Sequence, residues 1–227
     1  MNRDQQTRAR LLITAARLFA SRGFRKVTVR EICRTARANV ASVNYYFGDK
    51  LGLYKSVVQA AVDAMRETND AARAAGQGRP AEERLEAFVL AFLTRVAASR
   101  DSWIQGLLAR EIVDRTGAID LVIERVIRPR SAYISAIVAE LLDCPPDDPR
   151  VARAVICVQA HCLAFVPNPV NARLEPRLPA AAAEVRQLAA QITAFSLGGI
   201  RALREAPRAR ARKVGSGVIF PSERPGK

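Results

Sequence analysis

The stretch TVREICRTARANVASVNYYFGDK, residues 28–50, contains three helix-start signals. Thr28 with Glu31 three residues later has the pattern of a capping box, and Asn39 and Asp49 are favourable N-cap residues. These signals predict one helix from Thr28 to about Ala36, a second from Asn39 through Phe47, and a third that begins after Asp49. Helices so short and so close together, carrying basic and aromatic side chains, restrict both the fold and the function of this segment.

Apolar residues recur at helical spacing in the remainder of the chain, and no segment shows the alternation of a strand. The periodicity predicts a first helix over 7–22, which Gly23 ends, and the helix after Asp49 should continue to about residue 74. The glycines and proline of 74–80 break the pattern. Further helices are predicted near 85–96 and 104–112, over 118–143 with a kink at Pro129, near 151–165 and over 180–204. The predicted fold class is therefore all-α, with about nine helices.

The positive charge is concentrated at the two ends of the chain. Residues 1–50 carry eleven Lys/Arg against three Asp/Glu, residues 51–200 carry seventeen of each, and residues 201–227 carry eight against two, for a net charge of +14. A basic segment that coincides with ordered helix signals is typical of nucleic-acid binding. We therefore expect a DNA-binding head over 1–50 and a linking helix over 50–75. A neutral body follows over 76–205, and a basic, mobile tail over 206–227.

Several classes of protein are disfavoured. No apolar run reaches the roughly 18 residues that a bilayer span needs, so we expect no membrane association and a cytoplasmic location. The four cysteines form no CxxC pair, which disfavours disulfides and a structural zinc site, and no cofactor is expected. The chain has one histidine and no catalytic fingerprint, so no catalytic residue is assigned.

The short helices fit a helix-turn-helix, in which the second helix enters the major groove. Val43 and Phe47, four residues apart, should face the core and turn the remaining side chains outward. Asn44 can then bond a base edge, and Val40 and Ala41 can contact thymine methyl groups. The polar and basic side chains nearby are suited to contact phosphates and the rim of the groove. The full candidate set for DNA contact is Thr28, Arg30, Asn39, Val40, Ala41, Ser42, Asn44, Tyr45, Tyr46 and Lys50.

The run TVREICRTARANVASVNYYFGDKLGLY resembles the DNA-binding signature of TetR-family repressors. The resemblance covers about the first 55 residues. It implies DNA contact by eight of the positions named above: Thr28, Arg30, Val40, Ala41, Ser42, Asn44, Tyr46 and Lys50. Two departures stand out. Arg37 replaces the usual turn glycine, so either a left-handed arginine is strained or the turn has another shape. Asn44 replaces the common recognition-helix tyrosine, which suggests altered base reading.

A second resemblance lies in the body. LLAREIVDRTGAIDLVIERVIRPR and VQAHCLAF resemble the C-terminal domain of the CecR-type subgroup, whose members are associated with efflux and drug response. This implies a small-molecule effector, for which the candidate contacts are Phe92, Trp103, Arg110, Glu111, Tyr133, His161 and Phe165.

The charged pair Arg110 and Glu111 interrupts an apolar helix face, and a buried charge needs a partner. The pair could form a structural salt bridge, with Arg128 or Arg130 for example, or line an effector pocket. His161 follows Cys157 by four residues, a spacing that could hold a metal. A hydrogen-bonded core histidine is the alternative reading, and no metal site is assigned.

The family resemblance implies a homodimer whose interface lies on the last two helices. Helix propensity alone also explains an alanine-rich helix. The small residues that would permit close packing across the interface are Ala181, Ala182, Ala183, Ala189, Ala190, Ala194, Gly198 and Gly199. The leading hypothesis is thus a ligand-responsive repressor that binds a palindromic operator as a dimer and is released by an effector. The alternative is a nonspecific or architectural DNA-binding protein, which would need no pocket.

Overall fold

The computed structural model describes residues 3–98, 103–114, 116–166 and 181–206. Within these ranges the chain forms nine helices and no strand, which confirms the predicted all-α class. The helices are α1 Arg3–Arg22, α2 Val29–Ala36, α3 Val40–Phe47, α4 Lys50–Gly76, α5 Ala81–Ala98, α6 Trp103–Asp114, α7 (the continuous segments Ala118–Val122, Ile123–Ile127 and Arg128–Leu142), α8 Pro149–Leu163 and α9 Ala182–Glu205.

The first helix is longer than its apolar periodicity predicts. It begins at Arg3, and its first turn contains the acidic residue Asp4. A carboxylate in the first turn interacts favourably with the positive end of the helix dipole, so polar residues extend the helix beyond its buried face. The boundaries of α2 and α3 agree with the prediction.

The predicted disturbance at Pro129 is a π-helical turn over Ile123–Ile127. The Arg128 N–H donates to the carbonyl of Ile123, five residues earlier, in place of the usual four. Proline has no N–H to continue the α-helical ladder, and an extra residue in the turn accommodates the change. The turn alters the direction in which the side chains of α7 leave the helix, including that of Arg125.

The described residues form two apolar cores, and the division between them does not follow the order of the sequence. One core contains α1–α3, most of α4, α6 and the first part of α7, with Phe19, Leu53 and Leu107 among its buried residues. The other contains the end of α4, α5, the rest of α7, α8 and α9. The helix α4 contributes to both, so it is the structural link between the head and the body.

Residues 167–180 and the basic tail beyond Ala206 lie outside the described residues. Among the described helices, none has the combination of length and apolarity needed to cross a membrane.

Candidate nucleic-acid interface

Side chains at the starts of α2, α3 and α4 set the geometry of the head. The Thr28 hydroxyl accepts from the Glu31 N–H at 3.2 Å. The Asn39 side chain accepts from the Ala41 N–H at 2.9 Å, and Asp49 accepts from the Gly52 N–H at 2.7 Å. Each cap satisfies a backbone donor that the first turn of a helix leaves unpaired. The three predicted starts are therefore confirmed, and they place α2 and α3 in a helix-turn-helix arrangement.

The helix α3 has one fully buried side chain, and its other side chains are exposed or partly buried. Val43 is fully buried, and Phe47 packs partly against the head core. On the outer face, Val40 is 43% exposed and Tyr45 is 78% exposed. The candidate set thus lies at or near the surface: Thr28, Arg30, Asn39, Ala41 and Asn44 are exposed, while Ser42, Tyr46 and Lys50 are partly buried.

The Tyr46 hydroxyl is already engaged. It donates a hydrogen bond to the Asp4 carboxylate of α1, and this bond is the main reason that the pKa of Tyr46 is raised to about 12. A phosphate bound by Tyr46 would have to replace Asp4, which is itself negatively charged. Sequence reasoning missed this contact because Asp4 lies 42 positions from Tyr46.

Lys50 is also restrained by the head. Its ammonium lies 4.5 Å from the centroid of the Phe24 ring, and it donates to the Arg25 carbonyl at 3.5 Å. Partial burial lowers the pKa of Lys50. These contacts hold the side chain at the junction of the α1–α2 turn and α4.

The turn between α2 and α3 keeps a left-handed conformation at Arg37. Its φ and ψ are 51° and 50°, and its N–H donates to the Arg34 carbonyl at 3.3 Å. Of the two alternatives for this position, the strained arginine is therefore the correct one. Arg37 is exposed, so its guanidinium is free to approach a phosphate.

Arg37→Gly should stabilise the protein by about 1 kcal/mol, because glycine adopts positive φ without the steric cost of a Cβ. Arg37→Ala is the matched control, since it removes the charge but keeps the Cβ. Urea unfolding of the three proteins measures the difference. Equal stability of Arg37→Gly and Arg37→Ala would show that the turn carries no conformational strain.

A buried hydrogen-bond network joins α6 to the head. Glu111 is only 2% exposed, and its carboxylate accepts from the Tyr54 hydroxyl of α4. The Thr116 hydroxyl lies 2.8 Å from both carboxylate oxygens. Burial, followed by the hydrogen bond to Glu111, raises the pKa of Tyr54 well above its ordinary value. The network thus connects α4 to α6 through the side chains of Tyr54 and Glu111.

Two further residues of α6 hold the turn after α1. The Arg110 guanidinium donates to the Ser21 carbonyl at 2.7 Å, and the Asp114 carboxylate accepts from the Phe24 N–H at 3.0 Å. The suggested salt bridge with Arg128 or Arg130 does not form among the described residues, and Arg128 pairs with Glu124 at 2.8 Å. Arg110 and Glu111 instead bind neutral groups of Ser21 and Tyr54, which are distant in sequence.

The other five effector candidates are distributed over both apolar cores and the cleft between α8 and α9. Phe92, Tyr133 and Phe165 pack in the body core, whereas Trp103 packs against the head core. His161 contacts the ring of Phe195, with centroids 4.9 Å apart, in the cleft between α8 and α9. The expected hydrogen-bonded core histidine is wrong: His161 is only half-buried, and its Nδ1 atom has no hydrogen-bond partner among the described residues.

An apolar face lies open on α8 and α9. Ile156 is 65% exposed and Phe195 is 70% exposed. The cleft between these helices encloses about 390 Å³. Among the small residues, Ala189 is buried inside the protomer, whereas Ala190, Ala194, Gly198 and Gly199 are exposed. Large apolar side chains, rather than small residues alone, therefore define this face.

Two families of known proteins match separate parts of the chain. Residues 81–200 match the family described as the C-terminal domain of the HTH-type transcriptional dual regulator CecR. Residues 11–57 match the family described as bacterial regulatory proteins, tetR family. The chain is 26% identical over 172 residues to the HTH-type transcriptional dual regulator CecR of Shigella flexneri, covering 72% of this chain and 77% of that protein.

Solved structures share the same arrangement of helices. The ketosteroid transcriptional regulator KstR2 of Mycobacterium tuberculosis superposes with a TM-score of 0.62 at 19% identity, covering 85% of this chain and 93% of that chain. The fatty acid degradation regulator FadR from Bacillus halodurans gives a TM-score of 0.60 at 17% identity, covering 86% and 96%. At these identities the likeness concerns the fold alone.

Proposed function

The chain belongs to the TetR family of transcriptional regulators, in its CecR-type branch, and from that premise we propose that it is a ligand-responsive repressor acting as a homodimer. The family resemblances inferred from the sequence are thereby confirmed. The observation that carries the proposal is the capped helix-turn-helix, whose α3 turns an exposed face of Val40, Ala41 and Asn44 away from the core.

Each proposed domain has its own proposed role. Residues 1–50 would read DNA, 50–75 would connect, and 76–205 would bind the effector and dimerise. The ten head residues from Thr28 to Lys50 would contact the operator, with α3 in the major groove and the start of α2 at the backbone. The charge of the first 50 residues, eleven basic against three acidic, supports this orientation.

The open face on α8 and α9 supports the dimer. Burying Ile156, Phe195 and their neighbours against a second copy would remove apolar surface from water. A two-fold dimer presents two recognition helices about one turn of DNA apart or a multiple of it, so the operator should be palindromic. Effector binding would favour a body conformation in which the two heads are wrongly spaced.

Footprinting on the DNA upstream of the gene tests the proposal directly. The purified protein should protect a discrete palindrome, and one member of a panel of antibiotics and hydrophobic compounds should abolish the protection. Flat affinity across unrelated duplexes with a steep salt dependence would instead favour a nonspecific DNA-binding protein.

Asn44→Ala should weaken binding to the operator about tenfold, because a base-edge hydrogen bond contributes discrimination of this order. Binding to an unrelated duplex should remain nearly unchanged, since phosphate contacts are retained. Fluorescence anisotropy with the two duplexes at one salt concentration measures both affinities. Equal losses on both duplexes would argue against base reading by Asn44.

A further inference from the structure

A groove between α4 and α7 has two adjoining parts of different character. The part near the head encloses about 360 Å³ and is lined by apolar groups of Leu51, Val58 and Leu121. The second part, further along α4, also encloses about 360 Å³ and is lined by Arg66 and Arg73. Arg125 lines both parts and therefore marks their junction.

The charge of this groove is strongly positive. Lys55 and Arg125 line the apolar part, which has no acidic residue among its described lining. In the second part, Arg66, Arg73 and Arg125 face a single carboxylate, that of Asp70. Neither Arg66 nor Arg125 forms an ion pair with any described residue, so both guanidinium groups are available to an anion.

The backbone of α7 supports this use of Arg125. The residue lies in the π-helical turn, and two side chains of α4 hydrogen-bond to the backbone of the same segment. The Arg73 guanidinium donates to the Pro129 carbonyl at 2.9 Å, and the Asn69 side chain donates to the Val126 carbonyl at 3.4 Å. These hydrogen bonds restrain the segment from which Arg125 enters the groove. π-Helical turns of this kind are frequent at functional sites.

The apolar part also touches the network that joins head and body. Tyr54 and Thr116 both line it, and both bind the buried Glu111 carboxylate. A molecule in the groove would therefore contact α4 and the start of α7 at the point where α6 is attached. Its presence would alter the packing that positions the head.

We propose that this groove binds an amphipathic organic anion, with its apolar portion over Leu51, Val58 and Leu121 and its acidic group at Arg125, and that this anion is the effector. The assignment rests on the proposed ligand-responsive function and names the chemistry of its ligand. It also differs from the effector set expected from the sequence, since none of those seven residues lines the groove. It places part of the effector site on α4, within the connecting segment 50–75, in addition to the body.

Calorimetric titration with decanoate, decanol and hexanoate tests the groove. Decanoate should bind at one site per protomer, and Arg125→Gln should weaken it about tenfold or more through loss of a charge-assisted hydrogen bond. Hexanoate should bind at least about tenfold more weakly than decanoate, because fewer methylene groups are buried. Arg186→Gln is the matched control, since Arg186 is an exposed arginine beside the separate cleft between α5 and α9.

Several results would overturn the assignment. These are equal affinity for decanoate and decanol, equal losses in Arg125→Gln and Arg186→Gln, and the absence of saturable binding. Decanoate should also reduce operator protection by the wild type but not by Arg125→Gln, and binding without that effect would remove the effector role. A missing footprint before any ligand is added would count against the repressor itself, whereas the titration reports on the groove independently.

Discussion

Gly52→Ala should destabilise the protein by about 3 kcal/mol and disturb the recognition helix, because a Cβ at this position has no room. The added carbon would fall far inside contact distance of the Phe47 carbonyl oxygen and 3.1 Å from the Phe47 carbonyl carbon. Both obstacles are backbone atoms at the C-terminal end of α3, so they cannot rotate away as a side chain would. The intrinsic helix preference for alanine over glycine, about 1 kcal/mol, is too small to compensate.

Chemical unfolding and operator binding measure this effect together. Operator affinity should fall at temperatures where circular dichroism shows that the helices are intact, since α3 must move relative to α4. Glu67→Ala is the control on the same helix, exposed to solvent and expected to change stability by no more than about 0.5 kcal/mol. Wild-type stability and affinity in Gly52→Ala would refute the close approach of the two helices.

Tyr54→Phe should cost about 1.5–3 kcal/mol of stability, the contribution of a hydrogen bond to a charged group. The substitution keeps the aromatic packing with Phe19, 5.1 Å between centroids, and removes only the hydroxyl that donates to Glu111. The buried carboxylate then retains Thr116 as its hydrogen-bond donor among the described residues. The loss is large because Glu111 is shielded from water that could replace the hydroxyl.

A double-mutant cycle with Glu111→Gln separates this network from packing effects. If the two side chains act as a pair, the losses in the single variants should not add in the double variant. Tyr45→Phe serves as the control, because that hydroxyl is on a side chain 78% exposed to solvent. Should Tyr54→Phe and Tyr45→Phe lose equal stability, the network would have no special role in joining α4 to α6.

Much of the head could be predicted from local chemistry. Thr28, Asn39 and Asp49 begin their helices as expected, since a cap depends on atoms two or three residues away. The inward position of Val43 follows from helical periodicity alone. The exposed surface of α3 could be anticipated for the same reason, because one buried position determines which side chains face outward.

The contacts and exposed surfaces of the body were less predictable, because they depend on packing between helices that are distant in sequence. Glu111 and Tyr54 are 57 positions apart, and nothing in either local sequence identifies the other as a partner. Phe195 belongs to an apolar helix face and yet is mostly exposed. Periodicity identifies such a face but does not indicate what covers it. A helix with two apolar sides can bury one in its own core and keep the other for a partner.

The sequence by itself determined the all-α class, the capped short helices and the outward face of α3, because these follow from hydrogen bonds and periodicity within a few residues. Only the tertiary structure decided that α6 belongs to the head core and that Arg125 faces α4. It also decided that Gly52 permits α3 to approach α4. Those outcomes depend on how separate helices pack, a long-range free energy to which no single segment of the chain gives a local signal.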